Sequence, residues 1–322
     1  MKNELPLAAA CGAMLCLILA PGAAIESARY ALTLCAELIV PSLLPFFAAS
    51  GLLIRLGLPR ELGRFLSPVC TRLWGVSGAG ASTFLAGLLG GYPLGAQTIG
   101  ELYTAGQISR KEAERLLLFC NNTGPSFLVG VIGSSLFSSR AVGLALYAIH
   151  ALSALLIGVL FRGPKGESLP LSQSDDQPFS LALVGAVRQA VSGILSVSGF
   201  VVLFCVLSGM LESVGFFSAA ARLLSPLTGA SPEMIRALLT GLLELSGGVG
   251  ALRGLPPGRA QFILCAFLCG WGGLSVQMQT LAVLSETDLD CRFQLTGRLL
   301  SALFSALLAA AASCLPILPP LL

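Results

Sequence analysis

Polar residues interrupt four apolar stretches of the chain, and their types and spacing are suited to binding a polar molecule. The interrupted stretches are GGYPLGA (90–96), CNNTGPSF (120–127), ELSGG (244–248) and CGWGGLSVQMQ (269–279). Inside a bilayer an unpaired backbone N–H or C=O group is costly, so such breaks persist where they line a cavity or a ligand. The four breaks therefore predict a binding site within the membrane.

The second of these stretches is the most informative. Asn121, Asn122 and Thr123 stand directly before Gly124-Pro125, a pair that breaks helices. Close packing between membrane helices favours small residues, but it requires neither two amides nor a proline. We therefore expect this cluster to bind substrate, whereas close packing suffices to explain isolated glycines elsewhere in the chain.

The breaks also predict the chemistry of the ligand. A broken helix exposes N–H groups at the start of its second half, where hydrogen bonds and the helix dipole favour an anion. Hydroxyl and amide side chains add donors and acceptors without a formal charge, which suits a small polar solute that must bind and then leave. These side chains are Asn121, Asn122, Thr123, Ser126, Ser246, Ser275, Gln277 and Gln279.

One acidic residue, Glu244, is expected at membrane depth, because it follows the apolar sequence LLTGLL and precedes SGG. An ionisable residue at that depth is expensive and indicates a functional role. Two roles remain open. Glu244 carries a coupling proton or cation, or it hydrogen-bonds the neighbouring broken segment.

Other kinds of chemistry are disfavoured. The chain has one histidine, His150, for which we expect a packing or hydrogen-bonding role, and no HExxH motif, GxSxG motif or Ser–His pair, so we expect no enzyme. Cys265 and Cys269 lack a companion histidine or second cysteine pair, so no metal site or other cofactor is expected. A net charge of +3 with scattered Lys and Arg argues against nucleic acid as a partner.

The composition points to a membrane protein. Of the 322 residues, 55% are hydrophobic and 11% charged, and the mean hydropathy is +0.86. A soluble domain carries about 25% charged residues, so the lipid bilayer is the expected partner. We predict an all-α polytopic membrane protein with about eight to ten embedded helical elements. Apolar runs of about 20 residues, enough to span the bilayer, occur at 5–24, 35–54, 141–161, 190–211 and 296–317.

The two halves of the chain also resemble each other in sequence. FLSP (65–68) matches LLSP (223–226), and Cys120, Gly124 and Ser126 match Cys269, Gly273 and Ser275 in the same order. Paired halves with interrupted helices at corresponding positions are typical of secondary transporters. We predict an N-terminal transmembrane helix at 1–29, a first repeat at 30–161, a polar loop at 162–180 and a second repeat at 181–322.

An amphipathic stretch precedes the second break of each half. In ISRKEAERLLLF, Ser109 is expected to cap a helix, and Glu112 to complete a capping box with it. In LPPGRAQFILCAF, Pro256 and Pro257 are expected to start the helix.

The motifs PSLLPFF (41–47), GGYPLGA, CNNTGPSF and GWGGLSVQMQ together resemble the sporulation integral membrane protein YlbJ (SpoVV) family. That family is related to the nucleoside-recognition gate domain of concentrative nucleoside transporters. The resemblance spans roughly residues 30–315 and implies two gate-like repeats, an endospore-forming bacterium and a protein of the outer forespore membrane. The implied activity is transport of dipicolinic acid towards the forespore. The implied site residues are Gly91, Tyr92, Pro93, Gly95, Asn121, Asn122, Gly124, Pro125, Gly272, Gly273 and Ser275.

Two functions from different classes follow. The first is a carrier for a small organic anion, with dipicolinate, a planar dianion, as the implied substrate and a proton or cation as a possible coupling partner. The second is a membrane scaffold or regulatory subunit that has kept a gate-like fold without transport. A carrier for a nucleoside-like solute is a variant of the first.

Overall fold

The computed structural model describes residues 4–164 and 178–314, and the regular secondary structure in these ranges is helical throughout. Residues 165–177, most of the predicted polar loop, lie outside the described residues. The helices are α1 (Glu4–Leu19), α2 (Pro21–Leu34), π1 (Cys35–Ile39), α3 (Val40–Arg55), α4 (Leu58–Trp74), α5 (Gly78–Gly90), α6 (Leu94–Thr104), α7 (Arg110–Leu117), π2 (Ser126–Leu136), α8 (Arg140–Leu160), α9 (Phe179–Ser213), α10 (Phe216–Thr228), α11 (Pro232–Leu243), α12 (Leu245–Ala251), α13 (Arg259–Trp271), α14 (Gly273–Leu284) and α15 (Arg292–Ala312).

Four helical segments of the described chain are long and apolar enough to cross a membrane: Arg140–Leu160, Phe179–Ser213, Arg259–Leu284 and Arg292–Ala312. Two further pairs of helices are bent at a short break. If each bent pair crosses the membrane once, the described chain has up to six spans. The prediction of an all-α polytopic membrane protein is therefore confirmed. The number of eight to ten embedded elements stays a prediction.

The N-terminal region is bent. The chain turns by 99° between Cys11–Leu19 and Pro21–Ile39. Pro21 lacks a backbone N–H group and stands at the first turn of α2, a position that tolerates proline because its N–H would be unpaired. The bend lies within the predicted N-terminal transmembrane helix at 1–29, which stays a prediction.

Helix α15 shows how the bilayer acts as solvent for this fold. Its outward side is apolar, and four leucines on it are between 43% and 66% exposed: Leu295, Leu299, Leu303 and Leu307. Its inward side carries the buried polar residues Gln294, Arg298, Ser301 and Ser305. This distribution is the reverse of that on a surface helix of a soluble protein. Helix α15 thus presents polar groups to the protein interior.

The two halves contain similar elements in the same order. Helices α4 and α10 each carry an internal proline and are flanked by glycines with positive φ: Gly57, Gly75 and Pro68 for α4, and Gly215, Gly229 and Pro226 for α10. Each is followed by two interrupted pairs, α5/α6 and α7/π2 or α11/α12 and α13/α14, and then by a 21-residue helix, α8 or α15. The order of these elements is the same in both halves, whereas the division into two gate-like repeats stays a prediction.

The helix starts before the second breaks differ in part from expectation. The Ser109 hydroxyl accepts the N–H of Glu112 at 3.3 Å, so it caps α7 as predicted. The Glu112 carboxylate does not complete the capping box, because it accepts the backbone N–H of Ser77 at the start of α5, at 2.5 Å. Helix α13 begins at Arg259 with Gly258 as its N-cap, so the two prolines precede the helix.

A polar contact at the surface also joins the halves. The Tyr103 hydroxyl, at the end of α6, donates to the Asp288 carboxylate between α14 and α15 at 2.6 Å. Arg110 donates to the other oxygen of the same carboxylate at 3.1 Å. The Tyr103 hydrogen bond, together with the nearby positive charge of Arg110, lowers the pKa of Asp288.

Candidate functional site

The four helix breaks predicted from the sequence meet in the interior of the protein. They lie at 91–93 between α5 and α6, at 118–125 between α7 and π2, at Glu244 between α11 and α12, and at Gly272 between α13 and α14. This meeting of the breaks is the candidate functional site.

The two breaks of the first half touch through glycines. Gly91 has φ of +77°, and the following Tyr92–Pro93 peptide bond is cis. A Cβ atom on Gly91 would lie 2.8 Å from the backbone nitrogen of Gly124. A side chain at position 91 is therefore excluded both by the backbone conformation and by the close approach of the second break.

Two hydroxyl groups tie the first-half breaks to the second half. The Tyr92 hydroxyl donates to the Cys269 carbonyl at 2.6 Å, and the Thr123 hydroxyl lies 2.8 Å from the same carbonyl oxygen and 2.5 Å from the Tyr92 oxygen. Cys269 lies in the last turn of α13, where carbonyl groups have no partner within the helix. Tyr92 and Thr123 therefore satisfy an acceptor that the helix leaves unpaired.

The second-half breaks are packed equally closely. A Cβ atom on Gly273, which has φ of +82°, would lie 3.0 Å from the Leu245 nitrogen at the start of α12. The Trp271 indole N–H donates to the Leu242 carbonyl near the end of α11 at 2.9 Å. The α13/α14 break therefore contacts the α11/α12 break directly.

The amide pair is held rigidly and lies behind the wall of the site. Asn121 and Asn122 are both 0% exposed. The Asn121 side-chain NH2 donates to the Thr280 hydroxyl and that of Asn122 to the Phe119 carbonyl, each at 2.8 Å. Neither amide oxygen has a hydrogen-bond partner within the described residues. Both side chains therefore keep an unused acceptor, and their contact with substrate stays a prediction.

The only histidine of the chain supports the same segment. The His150 Nε2 atom accepts the backbone N–H of Thr123 at 3.0 Å, and the side chain is buried. An accepting Nε2 requires a neutral imidazole with its proton on Nδ1. The predicted hydrogen-bonding role of His150 is confirmed.

Glu244 is the N-cap residue of α12. Its Oε1 accepts the N–H of Ser246 at 3.0 Å and its Oε2 that of Gly247 at 2.5 Å. The Cys205 thiol lies 3.8 Å from Oε2, and the Glu244 side chain is only 2% exposed. The anion at the start of this half-helix is thus the protein's own carboxylate, and not a position left free for substrate. Of the two roles considered for Glu244, hydrogen bonding to the neighbouring broken segment is the one seen in these contacts. Ion coupling stays a prediction.

A cavity opens at the meeting point of the breaks, with an empty volume of about 560 Å³ that includes its open mouth. Seven of the predicted residues line it: Gly91, Tyr92, Thr123, Gly124, Glu244, Ser246 and Gln279. Gly90 and apolar residues of π1, α3, α9, π2, α12 and α14 complete its wall. We call this space the central cavity.

The other predicted residues lie outside the lining of the central cavity. They are Pro93, Gly95, Asn121, Asn122, Pro125, Ser126, Gly272, Gly273, Ser275 and Gln277. Gln277 donates to the Trp271 carbonyl at 3.0 Å and Ser275 accepts from Gln279 at 3.2 Å, so both stabilise the α13/α14 break. These residues support the helix breaks without lining the central cavity.

A second cavity, which we call the outer cavity, has an empty volume of about 970 Å³ that includes open solvent at its mouth. It is bounded by residues of α2, α9, α10, α11 and α12, including Cys205, Ser208, Arg236 and Gly247. The Glu244 side chain lines the central cavity and accepts a hydrogen bond from Gly247, which lines the outer cavity. Glu244 therefore connects the walls of the two cavities.

Arg298 is the residue that sequence reasoning missed. The predicted lining carries no formal positive charge, but this α15 arginine is 0% exposed, with its guanidinium carbon 5.9 Å from the centroid of the Tyr92 ring. The preceding Gly297 permits this position, because a Cβ there would lie 2.0 Å from the Leu118 carbonyl oxygen. The signal in the sequence was the spacing of Gln294, Arg298 and Ser301, which repeats on one face of an apolar helix.

Comparison with known proteins agrees with this architecture. The sporulation integral membrane protein YlbJ of Bacillus subtilis (strain 168) is 31% identical to the chain over 315 residues, which cover 89% of this chain and 76% of that protein. No family model and no solved structure matches the chain. An identity of this size along most of both sequences places the chain in the family of the sporulation integral membrane protein YlbJ.

Proposed function

We propose that this protein is a carrier that moves a small organic anion, dipicolinate, across the outer forespore membrane into the developing spore of an endospore-forming bacterium. The observation that carries the proposal is the meeting of four interrupted helices around the central cavity. Irregular backbone is tolerated at membrane depth where it is buried in protein or lines a cavity, and carriers place their substrate sites there. A scaffold would need only packed, continuous helices.

The polar groups around the central cavity suit a planar aromatic dianion. Tyr92, Thr123, Ser246 and Gln279 supply hydroxyl or amide groups at its wall, and Phe127 and Val276 supply apolar surface for a ring. Such a mixture of apolar walls with a few convergent polar groups is typical of small-molecule sites. The substrate itself is inferred from the family resemblance. We expect no catalytic activity.

We further propose that Glu244 couples transport to a proton or cation. Its carboxylate lies on the wall of the central cavity and accepts hydrogen bonds from the first turn of α12, next to the outer cavity. A proton taken up by this carboxylate would weaken both hydrogen bonds and loosen the start of α12. Binding of an ion and movement of a half-helix would thus be linked at one residue.

Uptake by reconstituted vesicles tests the proposal. Purified protein in liposomes should accumulate labelled dipicolinate, and excess unlabelled dipicolinate should compete while uridine should not. Spores of a deletion strain should contain little dipicolinate, and the intact gene should restore it. Vesicles that take up no dipicolinate in either orientation, together with normal dipicolinate in the mutant spores, would refute the proposed function. Competition by uridine would instead favour a nucleoside-like substrate.

A further inference from the structure

Arg298 carries a buried positive charge that interacts with the Tyr92 side chain but that no carboxylate among the described residues balances. None of its three guanidinium nitrogens has a hydrogen-bond partner among the described residues, and no ion pair found there includes it. The two buried glutamates in these ranges, Glu112 and Glu244, bond backbone N–H groups instead. A guanidinium buried in this way is strongly disfavoured unless an anion or acceptor compensates it.

The surroundings of Arg298 are rich in other unused polar atoms. The amide oxygens of Asn121 and Asn122 and the Nδ1 atom of His150 also lack partners among the described residues. The guanidinium is close enough to His150 and Cys120 to act on them electrostatically. The unpaired groups of α15 and of the CNNTGPSF segment therefore belong to one buried polar region.

Tyr92 separates this region from the central cavity. Its side chain lines the cavity, and the Arg298 guanidinium lies over its ring, whereas Arg298 itself is absent from the cavity wall. Two hydrogen-bonding contacts, with the Cys269 carbonyl and the Thr123 hydroxyl, hold the Tyr92 side chain in this position. A ligand in the cavity reaches Arg298 when the Tyr92 side chain turns away.

We propose that Arg298 is the primary anion-binding group of this protein and that it pairs with a carboxylate of the ligand when Tyr92 moves aside. An arginine binds a carboxylate through two parallel hydrogen bonds, which fixes the orientation of the ligand as well as its charge. Arg298 thus selects for carboxylates, and the hydrogen bonds of Tyr92 close the site. This inference rests on the proposed function for the identity of the substrate, but not for the site itself.

Binding measurements on the purified full-length protein test this assignment. Thermal unfolding is measured in detergent for four proteins: wild type, Arg298→Gln, Arg298→Lys and Arg292→Gln. Each protein is titrated separately with dipicolinate, with the monocarboxylate picolinate, with chloride and with phosphate. Arg292 is the matched control, since it lies on the same helix but is exposed and paired with Asp290. Dipicolinate should raise the unfolding temperature of the wild type and of Arg292→Gln equally.

The two Arg298 variants distinguish a role of the arginine charge in ligand binding from a role in the stability of the fold. Removal of a buried charged partner weakens binding by roughly 30-fold or more, so Arg298→Gln should bind dipicolinate at least that much more weakly. Arg298→Lys should fall between Arg298→Gln and wild type. Without ligand, Arg298→Gln should unfold at the wild-type temperature or above, because an uncompensated buried charge is removed.

Four results would overturn the assignment. The first is dipicolinate binding by Arg298→Gln within threefold of wild type. The second is a large loss of ligand-free stability in both Arg298 variants, which would make the arginine structural. Wild-type protein that no carboxylate stabilises would overturn it as well. Arg298-dependent stabilisation by carboxylates in a protein whose vesicles take up no dipicolinate would refute the proposed function and leave this site standing. Stabilisation by chloride or phosphate alone would assign the site to an inorganic anion and contradict the inference.

Discussion

Replacement of Glu244 by alanine should destabilise the protein, because it removes both acceptors from the start of α12. The carboxylate accepts two backbone N–H groups, at 3.0 and 2.5 Å, and the side chain is buried. A buried donor left unpaired costs about 1–3 kcal/mol, so the loss of both acceptors costs about 2–6 kcal/mol. For a chain of 322 residues the shift is about 1.5 °C per kcal/mol, so the unfolding temperature should fall by about 3–9 °C.

Glu244→Gln separates this structural role from ion coupling. Glutamine keeps one carbonyl oxygen, so one N–H group keeps its acceptor while the other faces an amide nitrogen that cannot accept. We therefore expect a smaller destabilisation, of about 1–3 kcal/mol. Because glutamine does not titrate, the variant should still exchange dipicolinate across vesicle membranes but lose accumulation driven by a pH gradient.

Vesicle transport at equal pH and with an imposed pH gradient measures the two effects. Glu112→Gln is the matched control, since Glu112 is also buried and accepts a backbone N–H but lies outside the lining of the central cavity. The control should lose stability while its transport keeps the wild-type pH dependence. Accumulation by Glu244→Gln with the wild-type pH dependence would refute the coupling role. An unchanged unfolding temperature for Glu244→Ala would refute the hydrogen-bond argument.

Three further predictions follow from contacts at or near the site. Tyr92→Phe loses the hydroxyl that bonds the α13 carbonyl, so it should cost about 1 kcal/mol of stability and speed dipicolinate exchange in vesicles; slower exchange would contradict its closing role. The double variant Asn121→Ala, Asn122→Ala should insert normally but lose transport, and wild-type uptake would reduce the pair to packing. Cysteines at Tyr103 and Asp288, whose side chains are hydrogen-bonded at 2.6 Å, should crosslink with a short reagent; failure with both thiols reactive would contradict the contact between halves.

The helix breaks could be predicted from the sequence, because glycine, proline and amide residues act on the local backbone. Gly91 needs a left-handed backbone conformation and Gly124-Pro125 ends a helix wherever the chain runs. For His150 the sequence predicts a packing or hydrogen-bonding role, because the chain offers it no catalytic partner. These inferences depend on residue type and nearby sequence alone.

The partners of individual side chains could not be predicted in the same way. Glu112 has the spacing of a capping box, yet its carboxylate reaches Ser77, 35 positions away. Arg298 stands near the start of an apolar run, where an arginine usually extends to the membrane surface. The tight contact of Gly297 with Leu118 places it in the interior instead. Packing between distant parts of the chain determines where these side chains point. Such packing leaves only a weak periodic signal in the sequence.

Protection of a single thiol by substrate tests most directly whether the meeting point of the breaks binds the anion. In a chain whose ten native cysteines are replaced, a cysteine at Ser246 lies on the wall of the central cavity, and one at Ser208 lies on the wall of the outer cavity. Dipicolinate should slow alkylation of Ser246→Cys in a concentration-dependent way and leave alkylation of Ser208→Cys unchanged. Equal alkylation of Ser246→Cys with and without saturating dipicolinate, in a protein that still transports it, would place the substrate site elsewhere.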